Sequence, residues 1–174
     1  TLKQSMDKLS EYLAKSLRNR YGFSPVVIQQ QSFENESTDN FTSGRIRPSA
    51  QGLGDSKYIA RDCNILLGLF SPYKFEMKEY KGYNITRFKD NIRFLEVLVN
   101  RDGEMGGLCP LFFDGAVSRF EELPLPDDEA QLKRIYAYID MLRNPHSVSN
   151  KLFFMFNSIR KFLNIQKKSY NFVA

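Results

Sequence analysis

Histidine is nearly missing from this chain, which carries His146 alone, and cysteine is scarce, with only Cys63 and Cys109. Two cysteines give no disulfide framework, and with one histidine they fall short of the four ligands of a structural zinc site. Metal chemistry built on imidazole and thiolate is therefore set aside. Long apolar runs are also lacking: none reaches the roughly 18 residues of a membrane span. The amino terminus, TLKQSMDKLS, has no basic-then-apolar signal pattern. A soluble, reducing, cytoplasmic setting without a membrane partner is expected. No glycine is followed by lysine, so the phosphate loop G-x-x-x-x-G-K-[ST] is absent, as are G-x-G-x-x-G and G-x-S-x-G. These residues do not encode a self-contained nucleotide hydrolase.

What is present is enough for one domain with a real core: 174 residues, 42% of them hydrophobic. The net charge of +5 is unevenly placed, because 151–174 holds Lys151, Arg160, Lys161, Lys167 and Lys168 and no acid. Residues 1–150 are therefore neutral, which describes a neutral body with a basic, aromatic tail rather than a uniformly basic nucleic-acid binder. The expected division is 1–126 for the body and 127–174 for a helical tail.

Leu2, Met6, Leu9, Leu13 and Leu17, three and four apart, predict an amphipathic helix that stops near Arg20-Tyr21-Gly22. Ser24-Pro25 leads into Val26-Val27-Ile28, a β-branched run that predicts a short buried strand with a polar end at Gln29, Gln30 and Gln31. From Ser32 to Ser49 the composition turns polar, with Arg45 and Arg47, and predicts a long loop of the functional kind. A short helix is expected over Leu53 to Arg61, then a strand from Asn64 to Phe70 buried on both faces. Residues 71–91, rich in Tyr and Lys, read as an insertion projecting from the sheet. Ile92 to Val99 and Gly107 to Phe113 read as a hairpin around the glycine-bearing turn 100–106. Asp114 ends an apolar run in the manner of a magnesium-binding strand end, but it precedes Gly115 and is read as a turn residue; no metal ligand is assigned. Asp127-Asp128-Glu129 suit a helix start, and Leu132, Ile135, Ile139 and Leu142 mark one face of that helix. A last helix is expected over about 150–163, with Leu152, Phe156, Ile159 and Leu163 along one side.

The order of these features resembles the second half of the RecA-like motor domain of DnaB-type replicative DNA helicases, over about Leu9 to Phe120. The family's strand-end glutamine falls on Gln31, with Gln29 and Gln30 as neighbouring alternatives. Its Arg-Pro, Leu, acid-Ser, Ile and Asp positions fall on Arg47-Pro48, Leu53, Asp55-Ser56, Ile59 and Asp62, and its hydrophobic strand on Ile65 to Phe70. Its hairpin pattern Lys-x-Arg-x-Gly-x-x-Gly falls on Val99, Arg101, Gly103 and Gly106, and its Phe and Arg-Phe on Phe113 and Arg119-Phe120. Val99 stands in place of the family lysine, Gly54 of an arginine and Asn64 of an aspartate.

The resemblance implies an α/β fold: a partial RecA-like sheet with parallel strands, extended by an antiparallel hairpin and followed by C-terminal helices. It implies a portion of an ATP-dependent replicative helicase whose Walker A and Walker B segments lie outside these residues. ATP and Mg2+ would belong to the intact assembly, with none bound by this chain alone. Arg101 would be an arginine finger acting on a neighbour's nucleotide, where a guanidinium suits phosphate bidentately. Gln31 would be the sensor of the γ-phosphate, since an amide switches partners without a charge change. Arg45, Arg47 and Lys57 would follow the phosphates of single-stranded DNA. Self-association as a hexameric ring and contacts with other replication proteins would follow. The alternative is a non-catalytic RecA-like module that binds nucleic acid or protein.

Tyr73, Phe75, Tyr80 and Tyr83, interleaved with Lys74, Lys78 and Lys81, have the composition of a base-stacking surface, but the commoner fate of such a mixture is a half-exposed extension.

Overall fold

The computed structural model describes residues 2–30, 46–53 and 57–143. The chain divides into two compact units, Thr1–Leu123 and Pro124–Ala174. The expected helix 150–163 and His146 lie outside the described residues.

The first unit opens with an α-helix, Leu2–Glu11, that continues in π geometry over Tyr12–Arg20. It ends where the sequence suggests, with Gly22 in the left-handed region at φ +69° and its N–H on the Arg18 carbonyl. A 3-10 turn, Ala50–Leu53, and a short helix, Lys57–Asp62, lead to β1, Ile65–Phe70. Then come the small strands β2 (Glu79–Tyr80) and β3 (Tyr83–Asn84), the long strands β4 (Ile92–Asn100) and β5 (Leu108–Asp114), and β6 (Arg119–Glu122). The main sheet has the order β1-β4-β5-β6 and every pair in it is antiparallel.

Two corrections follow. Among the described residues the sheet contains no parallel pair. The expected strand at Val26 is not formed: Gly22–Gln30 has no ladder partner, and Val26 and Ile28 are 88% and 94% exposed. A β-branched run becomes a strand only with a ladder to join, and here a cleft of about 760 Å³ separates Val27–Gln30 from β1. For the same reason β1 is an edge strand and not buried on both faces; Ile65, Leu67 and Leu69 are 58%, 50% and 55% exposed.

Residues directly opposite on an antiparallel ladder share a face. Phe70 faces Phe94, and Ile92 faces Phe112, and all four are buried. What covers them is the segment expected to project. It folds back instead: Pro72–Phe75 forms a 3-10 turn, β2 and β3 form a hairpin, and Ile85–Phe88 forms one helical turn capped by Asn84. The hairpin turn, Lys81-Gly82, has φ of +52° and +82°, the two positive values a type I′ turn needs. Tyr80 meets Phe94 edge-on at 4.8 Å and Phe70 at 5.1 Å, and Tyr83 meets Phe94 at 5.6 Å. Tyr83, Ile85 and Phe88 are buried with Ile92 and Phe94, so the aromatic residues of 71–91 make the core of this unit. Tyr80 and Tyr83 are thus packing residues, while Tyr73 remains exposed.

In the second unit, Asp128 caps the helix Glu129–Arg143 by accepting from the Gln131 N–H at 3.0 Å. Leu132 and Ile139, seven residues apart, are its buried positions.

Candidate functional site

The β4–β5 hairpin places Arg101 at the point where β4 ends, and the turn after it is built by Asn100. The Asn100 side chain accepts from the Asp102 N–H at 3.3 Å and donates to the Glu104 carbonyl at 3.2 Å, curling the chain over Gly103. Gly106, at φ +81°, returns its N–H to the Val97 carbonyl at 3.1 Å.

Arg101 is held on three points of the segment that leaves the helix Lys57–Asp62. Its backbone N–H donates to the Asn64 carbonyl at 3.0 Å, its Nε to the Cys63 carbonyl at 2.8 Å, and its Nη2 to the Arg61 carbonyl. The guanidinium has five N–H donors, so three are not engaged by those two carbonyls. Those carbonyls sit at a helix C-terminus, the negative end of the helix dipole, which favours a cation there. Arg101 is exposed, yet its direction is fixed.

A second guanidinium reaches the same place from the first helix. Arg18 Nη1 donates to the Asp62 carbonyl at 2.8 Å and to Asn64 Oδ1. Asn64 in turn donates from Nδ2 to Asp102 Oδ2 at 3.3 Å, so one amide ties the first helix to the hairpin tip. Ser10, buried in that helix, donates to Asp62 Oδ2 at 2.9 Å. Burial pushes the Asp62 carboxyl up, but hydrogen bonds from Arg61 and Ser10 and the charges of Arg61 and Arg101 outweigh it and hold the group below the usual carboxylate range. Burial pushes the Cys63 thiol up, which makes it a poor nucleophile. Asp7, Lys8, Glu11, Lys15, Arg18, Arg61 and Arg101 line a shared cleft of about 610 Å³.

The remaining candidates are placed as follows. Gln31 and Arg45 lie outside the described residues. Lys57 begins the helix Lys57–Asp62. Arg47 is exposed and lines the cleft beside β1, away from the residues gathered around Arg101. Its neighbour Pro48 is buried against Gly68 of β1, where a Cβ would lie 3.1 Å from Pro48 Cγ and closer still to its Cβ. Only glycine lets the ring sit on the strand, and this contact sets where the chain carrying Arg47 returns to the sheet. Asp114 accepts from the Ala116 N–H at 3.1 Å, as a turn residue does. Among the described residues, no three His, Cys, Asp or Glu side chains gather into a metal site.

Compared with solved structures, the chain is similar to the ATPase domain of a DnaB-like helicase, with a TM-score of 0.57 and 18% identity, over 71% of this chain and 38% of that one. It shares the fold of that ATPase domain. The chain therefore spans well under half the length of that solved neighbour. No protein-family model matches the chain, and no curated protein matches it in sequence.

Within this ATPase-domain fold, sequence reasoning singles out Arg101 but misses Arg18 and Asn64. Asn64 is visible only as a departure from a family aspartate. Arg18 lies 46 residues from Asn64 in sequence, and its partners are an amide oxygen and a main-chain carbonyl, which leave no motif.

Proposed function

We propose that this chain is the part of a RecA-like, DnaB-type DNA helicase motor that acts on a nucleotide bound by a neighbouring subunit, with Arg101 as the arginine finger. The observation that carries this is the fixed, exposed Arg101 guanidinium, with two donors on its own backbone and three left for a phosphoryl oxygen. The fold likeness to an ATPase domain supports it. The donor set fits a contribution to ATP from outside its binding pocket; it does not fit a pocket that holds the nucleotide, since no glycine-lysine pair is present. ATP with Mg2+ supplies the phosphoryl group whose transfer drives the motor.

Arg101 would stabilise charge developing on that group, and Asn64 and Arg18 would hold the hairpin so that the guanidinium needs no reorganisation. Gln31 would report the γ-phosphate state to the loop that follows, and Arg45, Arg47 and Lys57 would track single-stranded DNA along its phosphates. Hexameric association and contacts with other replication proteins are part of the same proposal. The test is ATP turnover of the intact parent protein, with and without single-stranded DNA. Arg101→Ala should lower kcat by about 10³-fold or more while ATP affinity stays within a few fold. A parent assembly with no ATP turnover at all would instead favour a non-catalytic binding module.

A further inference from the structure

The cleft beside β1 has the shape and chemistry of a place for one more strand. β1 pairs with β4 along one edge, and its other edge has no ladder partner among the described residues. Leu66 to Ser71 all line the cleft, residues of both sheet faces in unbroken succession, which is how a groove along a strand's edge is lined. Val27 to Gln30 line it as well, again in succession. An open edge offers main-chain N–H and C=O groups to an extended segment. Aliphatic side chains flank it on both sides: Val27 and Ile28 from one segment, Leu67 and Leu69 from β1.

Two polar atoms in the walls, Gln29 Oε1 and Ser71 Oγ, are buried and have no hydrogen-bond partner. Buried polar groups are normally satisfied, so both point to something that enters the cleft. The charged residues that line it are Arg47 and Lys74, with no acid among the lining residues. A segment carrying a carboxylate at one end complements them.

We propose that this cleft accepts a β-strand from outside the chain, aliphatic in its middle and acidic at one end, which pairs with the open edge of β1 and is flanked by Val27–Gln30. The surface is distinct from the Arg101 site and stands whether or not Arg101 acts on a nucleotide. Strand addition of this kind takes its affinity from the main-chain ladder and its selectivity from alternate side chains.

The test uses the full 174-residue chain and the acetylated, amidated peptide Glu-Leu-Val-Ile-Val-Ala. Hydrogen exchange is followed at the amides of Leu66 to Phe70, with a light-scattering mass at each concentration. The expected result is saturable binding that slows the outward amides of β1 by about tenfold or more. A peptide N-methylated at alternate residues should lose that protection, Ile28→Lys should weaken binding without moving the thermal midpoint, and exchanging the peptide's Glu for Lys should weaken it several fold. Absence of binding, or equal binding by the N-methylated peptide, would overturn the proposal. Protection already complete in the monomeric chain, or appearing only as the mass doubles, would assign the edge to this chain itself and overturn it equally.

Discussion

Gly68→Ala is the substitution whose outcome the geometry fixes most tightly. The new methyl would lie 3.0 Å from Leu98 Cδ1 and 3.1 Å from Pro48 Cγ, with Pro48 Cβ nearer still. Carbon pairs are at ease at about 3.5–4.0 Å. Leu98 can change rotamer, but the Pro48 ring cannot, so the residues joining it to Arg47 must move. Overpacking of this kind costs about 1–3 kcal/mol. Alanine in a strand recovers about 0.5–1 kcal/mol relative to glycine, which leaves a net loss of about 1–2 kcal/mol. At about 3–6 °C per kcal/mol for a unit of this size, the thermal midpoint should fall by about 3–12 °C. Circular dichroism melting measures it. Pro48→Gly in the Gly68→Ala background should restore most of the loss, because it removes the atoms in conflict. A midpoint that rises in Gly68→Ala, or a double variant no better than the single, would refute the contact between Pro48 and β1.

Other outcomes follow from the same contacts. Phe88→Ala, at a fully buried position beneath Tyr83, should cost about 3–5 kcal/mol and bring the urea midpoint down with no change in m-value. The Asp62 carboxyl is held below its ordinary value of 3.8, so its stabilisation is present above that pH and is lost as the pH falls through the lower, folded value. The difference in thermal midpoint between the wild type and Asp62→Asn should therefore be steady at neutral pH and shrink below about pH 4. Asn64→Ala should free the tip of the β4–β5 hairpin. The Asp102 and Glu104 amides should then exchange faster, while those of Phe94 and Leu95 keep their protection.

Much of this is legible in the residues. The β4–β5 hairpin follows from two apolar runs around a turn with three glycines, and the last helix from its acidic start and its spacing of apolar residues. Both depend on local chemistry alone. Residues 71–91 read wrongly as a projection because Tyr and Lys alternate there without a helical or strand period. What decides their place is the fit of Tyr80, Tyr83 and Phe88 against Phe70 and Phe94, and composition does not record it. β1 and Val26–Ile28 both read as buried strands, since β-branched and aliphatic runs state a preference for a sheet but not the presence of a neighbour. Arg101 stands out through Gly103 and Gly106. The groups that fix it do not, because the carbonyls of Arg61 and Cys63 are common to every residue type.

The central claim is that Arg101 acts across a subunit boundary on another subunit's nucleotide. Doping the intact assembly with increasing fractions of Arg101→Ala subunits, at constant total protein, and recording DNA-stimulated ATP turnover tests it directly. The account predicts that turnover falls at least in proportion to the variant fraction, while each subunit still binds ATP with affinity unchanged within a few fold. Turnover that persists when every subunit carries Arg101→Ala, or that falls only because ATP no longer binds, would contradict it.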